Sequence, residues 1–317
     1  MQWRRAVRRG GAWLGCASLV LGARSASAQV APPPSPPVAA PLAPPPSRPL
    51  AYPPVQWNED WPRFSIAELI VSAAVTVRNG DLGGALDGPR SAVIELEVPV
   101  LDQGARDLLR ASSPGRRKGA ARLSDMGFRS LVLAPYLLDV VLGALVLHRN
   151  PDVALQVALI DFEVLTLAGL TQLLVSRGIG RARPYVTECP PEGCGGGPYR
   201  SLLSGHAMAS FTGAGLLCRQ HTELPLFGGG APDTLACVWA LTAASLTGTL
   251  RLVADEHWAS DVLLGAGMGW LYGYYLPKVL HFHAKKVVAQ PSGRSFTWLP
   301  TLTGTPESGV LGVMGTF

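Results

Sequence analysis

Five charge-poor apolar segments fill most of the second half of the chain: Ser130 to Leu147, Val153 to Ser176, His206 to Cys218, Thr234 to Ala254 and Trp258 to Leu280. Their lengths fit helices in or across a bilayer, where about 20 apolar residues make a span and the backbone must satisfy itself. The third is short and rich in small residues, as suits a helix packed closely by others. A further stretch, Phe64 to Val77, is interrupted by Glu68 and is short for a span. The expected fold is all-α, a multi-helix membrane bundle.

Charge supports that class. Charged residues are only 15% of the chain, against about 25% in soluble domains. Lys and Arg outnumber Asp and Glu by 27 to 22. The whole excess, Arg4, Arg5, Arg8, Arg9 and Arg24, precedes Gln29, and from there on the signs balance. This excludes a cationic nucleic-acid-binding surface, which must belong to the folded body to reach phosphates.

The same arginines, the apolar run Gly10 to Gly22 and the Ala26-Ser27-Ala28 box read as a signal peptide over residues 1–28. An uncleaved anchor helix is the alternative, since Arg24 interrupts the run before the box. Twelve prolines between Pro32 and Pro54 favour extended polyproline backbone and cannot bury a core, so 29–60 reads as a spacer. Residues 61–285 form the expected domain of transmembrane helices. Residues 286–317 are expected to be an irregular tail, because the one strand-like pattern near Phe317 cannot make a barrel.

Asp139, Asp161 and Glu163 lie inside the apolar segments, where an unpaired charge is costly. A proton path is one reading. Carboxylates bonded to neighbouring helices or to arginines of a site is the favoured one, since nothing else resembles a relay.

The chemistry-bearing residues cluster at three segment ends. In Arg251-Leu-Val-Ala-Asp-Glu-His257-Trp-Ala-Ser-Asp261, a helix starting near Asp255 would put His257 and Asp261 on one face. The carboxylate would then accept the Nδ1 proton and leave Nε2 as a nucleophilic lone pair. Arg251 offers a planar fork suited to phosphate oxygens. Ser204-Gly205-His206 opens the next helix, with amides and a hydroxyl suited to an anion and an imidazole able to protonate a leaving oxygen. Arg177, Arg181 and Arg183-Pro184 end the second long segment, where cations also suit a helix C-terminus.

Together, and in this order, these residues resemble the type-2 phosphatidic acid phosphatase superfamily of membrane lipid phosphatases, soluble acid phosphatases and vanadium-dependent haloperoxidases. The family pattern runs Lys, then Arg-Pro seven residues on, then Pro-Ser-Gly-His, then Ser-Arg, five residues, His, three residues, Asp. Arg183-Pro184, Ser204-Gly205-His206 and the spacing of Arg251, His257 and Asp261 match it. The Lys position holds Ser176 with Arg177 beside it, the Pro position Leu203 and the second Ser position Leu250. The chain has only four lysines, Lys118, Lys278, Lys285 and Lys286, none near these motifs.

The resemblance implies a two-step reaction. His257 attacks phosphorus with Asp261 orienting it, His206 protonates the departing oxygen, and water hydrolyses the phosphohistidine. It further implies that Arg183, Arg251, Ser204 and the Gly205 amide hold the phosphoryl oxygens, with Arg177 a candidate in place of the Lys. No metal or cofactor is expected. The expected substrate is a phosphomonoester or diphosphate, of a lipid such as phosphatidate or a polyprenyl diphosphate, with an alcohol-accepting transferase variant open. A vanadate-dependent peroxidase and a non-catalytic membrane protein are the other readings. The sequence leaves the oligomeric state open.

If Phe64 to Val77 does not span, an exported N-terminus puts both motif loops outside; if it does span, parity flips and they face the cytoplasm. Arg149, Arg219, Lys278, Lys285 and Lys286 lie opposite the motifs and favour an external, periplasmic site in the cell membrane. Cys189 and Cys194 are either a disulfide or two free thiols, and Cys218 and Cys237 are expected to be packing residues.

Overall fold

The computed structural model describes residues 55–85, 99–189, 197–283, 297–305 and 308–316. All lie in the compact unit from Leu50 to Phe317. The expected signal peptide, most of the Pro-rich spacer and Cys194 lie outside the described residues.

The bundle is built from α1 (Ile66–Ala85), α2 (Val100–Leu109), α3 (Pro114–Ala134), α4 (Pro151–Ile179), α5 (Gly205–Glu223), α6 (Ala231–Val253), α7 (Ala259–Trp270) and α8 (Leu276–Leu280). All five apolar segments are helical. Among the described residues before them, Val100–Leu109 form α2 and the polar residues from Pro114 on form the first half of α3. At Pro135 the ring removes a helical amide, and α3 runs on as a π-helix over Pro135–Leu147. Local signals set the ends of α4: Asn150 accepts from the amides of Asp152 and Val153 at 3.1 Å, Pro151 takes the first position, and Gly180 closes the helix at φ 64°.

Three helical stretches, Pro114–Leu147, Pro151–Ile179 and Ala231–Val253, are long and apolar enough to cross a membrane. Leu137, Val141, Leu155, Leu174, Trp239 and Leu246 are exposed along them. That outward apolar surface, over an interior holding ion pairs, is what lipid rather than water selects.

Helix α5 is the centre, packed by α3, α4, α6 and α7. Small residues make this possible: a Cβ on Gly213 would meet the Leu131 carbonyl oxygen at 2.1 Å, and one on Gly269 that of Met208 at 2.2 Å. Backbones touch there, which accounts for the small-residue composition of this segment.

The intramembrane acids are bonded to neighbouring elements, as favoured from the sequence. Asp139 and Asp233 flank the ring of His221 at 3.0 and 2.5 Å, Gln220 donates to Asp161 at 2.5 Å, and His281 pairs with Glu163 at 2.8 Å. None of these bonds involves an arginine. Two expectations are corrected. Cys218 and Cys237 are not separate packing residues but a disulfide joining α5 to α6, their Cα atoms 4.4 Å apart. The tail is not wholly irregular: β1 (Thr297–Thr305) pairs antiparallel with β2 (Ser308–Thr316), from Thr297 opposite Thr316 to Thr305 opposite Ser308. Threonines and valines favour strands, and two of them separated by a two-residue break make a hairpin without any barrel.

Helix α1 runs parallel to α4. Arg63 pairs with Asp152, the Phe64 amide donates to Gln156 at 2.8 Å, and Thr76 meets Thr166 at 3.1 Å, so the two helices ascend together. The chain therefore enters the bundle at the end opposite the loops that follow α4 and α6.

Candidate active site

Helix α6 ends at Val253, and the chain then leaves helical geometry through Asp255 at φ 65°. That carboxylate is clamped by Arg106 at 2.7 Å and Arg110 at 2.8 Å, and α7 begins only at Ala259, after its cap Trp258. The expected helix start near Asp255 is thus corrected, and His257 belongs to the turn rather than to one face of α7. Its Nδ1 lies 2.8 Å from the Ser201 carbonyl oxygen and 3.9 Å from Asp261 Oδ2. A carbonyl can only accept, so Nδ1 carries the proton and Nε2 of the neutral ring holds the lone pair. A backbone carbonyl rather than the expected Asp261 thus sets the tautomer of the candidate nucleophile.

Asp261 has other ties. Its Oδ2 accepts from the Trp258 amide at 3.0 Å and from the Ser201 hydroxyl, and Oδ1 accepts from Arg181 at 2.6 Å. The negative charge stays within Coulomb range of His257 while locking the loop that carries Ser201. His257 is buried, and that burial, with the positive Arg183 and Arg251 nearby, pushes its imidazolium down to about 4 against the pull of Asp261.

Ser204 caps α5, its hydroxyl accepting from the Ala207 amide at 3.4 Å, as the sequence suggested. Gly205 is the first helical residue, and a Cβ there would come 3.3 Å from the Gln172 side chain. His206 follows, its Nε2 2.7 Å from Asp125 Oδ1 of α3 and its ring against Phe128. A largely apolar cavity of about 380 Å³ begins at Gly205 and His206 and is walled by Phe128, Val132, Leu165 and Met208.

The two motif arginines converge. Arg183 and Arg251 both reach Glu256 Oε2, the first in a close ion pair and the second at 3.4 Å. Arg251 also binds the Ser124 hydroxyl at 3.0 Å and lies 3.6 Å from Asp125. One continuous set thus joins His206, Asp125, Arg251, Glu256 and Arg183 beside His257. At the position of the family Lys, Ser176 is fully buried and bonded to its own helix at 3.3 Å. Arg177 and Arg183 each lie near enough to Arg200 that, after burial, their charges hold its guanidinium below its usual range.

Sequence reasoning missed several participants. Arg181 was visible in the arginine cluster, but its role was not: it is buried between Asp102 of α2, at 2.7 Å, and Asp261. Asp102 also accepts from the Ser260 amide at 2.7 Å, tying α2 to the start of α7. Asp102, Asp125, Arg200 and Ser201 carry no motif signal of their own, and Glu256 is noticeable only as an acid beside the candidate nucleophile.

Comparison with known proteins agrees with the resemblance read from the motifs. Residues 158–285 match the model of the PAP2 superfamily. The chain is 32% identical over 132 residues to a lipid A 1-phosphatase of Porphyromonas gingivalis, across 42% of this chain and 25% of that protein. It spans about a quarter of that curated relative's length. A transmembrane PAP2 type phosphatidylglycerolphosphate phosphatase from Bacillus subtilis aligns over 66% of this chain and 90% of its own, at 19% identity and a TM-score of 0.40.

Proposed function

We propose that the chain is a membrane phosphatase that hydrolyses a lipid phosphomonoester or diphosphate through a phosphohistidine. The observation that carries this reading is the fixed tautomer of His257, which leaves Nε2 as the lone pair on a ring near enough to Arg183 and Arg251 to feel both charges. His257 Nε2 forms a bond to phosphorus as the bond to the leaving oxygen breaks, and His206 gives that oxygen its proton. Water then attacks phosphorus and passes a proton to His206, the N–P bond breaks, and both histidines are restored. Arg183, Arg251, Ser204 and the Gly205 amide neutralise the phosphoryl oxygens, which is most of what phosphoryl transfer asks of a protein. Arg177 is assigned to the same cradle from its place near Arg200, whose charge Arg183 also feels.

The apolar cavity at His206 supports a lipid substrate, since it offers a leaving group's hydrocarbon a dry place next to the general acid.

The proposed orientation is outward, with the site on the periplasmic face of the cell membrane. Exposed Arg149 and Lys278 at the far end favour it, while exposed Arg116 and Lys118 at the site end weigh the other way. Because α1 parallels α4, this orientation puts residues 55–65 on the cytoplasmic face. A cleaved leader at 1–28 that exports the spacer and an outward site therefore exclude each other if α1 crosses.

The deciding experiment is phosphate release from phosphatidate and from undecaprenyl diphosphate by the purified full chain and by His257→Ala. Release by the parent, none by the variant and an acid-labile labelled histidine in quenched enzyme are expected. Equal release by both proteins refutes the mechanism.

A further inference from the structure

We propose that Glu256 and Asp125 occupy the anion site of the substrate-free enzyme and decide which phosphates enter it: a lipid phosphate displaces them, whereas free inorganic phosphate displaces them poorly. The proposal rests on reading this site as a phosphatase site and goes on to its selectivity.

Two single oxygen atoms carry the argument. Glu256 Oε2 sits between two guanidinium groups, bonded to Arg183 Nη1 and 3.4 Å from Arg251 Nη2. Asp125 Oδ1 sits between Arg251 Nη1, at 3.6 Å, and His206 Nε2, at 2.7 Å. An oxygen shared by the two cradle arginines is where a phosphoryl oxygen must lie. An oxygen on the tip of the general acid is where the leaving oxygen must lie. The same N–H groups cannot serve a carboxylate and a phosphate at once, and two anions at that separation repel.

The acids are the members able to move. The side chains of Asp125 and Glu256 are 46% and 28% exposed, while Arg251 is 6% and Arg183 16% exposed. The Nε atoms of both arginines are buried with no hydrogen-bond partner among the described residues, so the cradle keeps donors that the two carboxylates leave unused.

An incoming phosphate therefore binds only the fraction of molecules whose carboxylates have swung away, which lowers its apparent affinity by that fraction. A lipid offsets this with the burial of its apolar part in the cavity beside His206, spending remote binding energy on the displacement. Inorganic phosphate has no apolar part. The return of the carboxylates after hydrolysis likewise ejects the phosphate product. Ion pairs kept only for structure predict the opposite sign, because removing one partner would leave the arginines disordered and weaken anion binding.

The test is the dissociation constant of inorganic phosphate, measured by calorimetry on the detergent-solubilised full chain, for the parent, Glu256→Gln and Asp125→Asn. In Glu256→Gln the expected tightening is on the order of tenfold, as for a competent state that is about a tenth of the population. Asp125→Asn is expected to tighten in the same direction and stands alone should Glu256→Gln fail to fold. The apparent KM for phosphatidate is expected to fall by a similar factor, because the displacement is common to both ligands. Phosphate binding that is unchanged or weaker in the folded variants overturns the proposal. The readout needs no turnover, so absence of hydrolysis by the parent refutes the phosphatase reading without deciding this comparison.

Discussion

His257 donates from Nδ1 to the backbone carbonyl oxygen of Ser201 at 2.8 Å, while Asp261 Oδ2 stands 3.9 Å from the same nitrogen. The tautomer of the candidate nucleophile is thus written into the main chain, and the acid acts on it through charge and through the loop it holds. Where a carboxylate itself fixes the tautomer, converting it to the amide costs roughly ten-thousandfold in kcat. Here Asp261→Asn is expected to cost on the order of a hundredfold or less, against complete loss in His257→Ala. Steady-state kcat on phosphatidate measures both. A loss in Asp261→Asn as deep as in His257→Ala would mean that the Ser201 carbonyl does not set the ring.

The pH profile follows from the burial of the same residue. A depressed value means that the neutral, nucleophilic ring persists as pH falls and is lost only on passing through about 4. An unperturbed imidazole would be lost near 6.5. The acid limb of kcat/KM, corrected for the second ionisation of the substrate phosphate near 6, is expected well below that of a free imidazole. A corrected limb at 6 to 7 would show that His257 is solvated and charged in the working enzyme.

How much of this was legible depended on distance along the chain. His257, Asp261, Arg251, Ser204 and His206 could be read because phosphate chemistry demands those types at short, fixed spacings, and apolar segments gave the helices around them. The helix start after His257 was misread because spacing alone does not reveal the left-handed turn at Asp255. Asp102 and Asp125 were invisible because α2 and α3 bring them in from more than a hundred residues away from Arg251. The pairing of Cys218 with Cys237 likewise needed the contact of α5 with α6.

Arg181 sits 2.7 Å from Asp102 and 2.6 Å from Asp261, all three essentially buried. Removing the cation leaves two buried carboxylates facing each other, and breaking a buried pair in this way costs about 3–5 kcal/mol. Arg181→Met is expected to lower unfolding stability by about that amount. Adding Asp102→Asn should recover part of it, because one uncompensated charge goes. Thermal unfolding in detergent, read alongside activity, checks this; a single variant as stable as the parent would mean that the three groups are hydrated.

Orientation can be decided from the two ends of the bundle. Asn58 precedes α1 and Ser112 lies between α2 and α3, and both are exposed. Since α1 ascends with α4, these positions sit at opposite ends, whichever way the bundle is inserted. An outward site predicts that Ser112→Cys in intact cells reacts with a membrane-impermeant maleimide above the background of the native cysteines. Asn58→Cys should react only after permeabilisation. The reverse pattern would turn the site to the cytoplasm and restore the export of the Pro-rich spacer. Labelling of both from outside would overturn the parallel packing of α1 on α4, because the two positions could not then lie at opposite ends of the bundle.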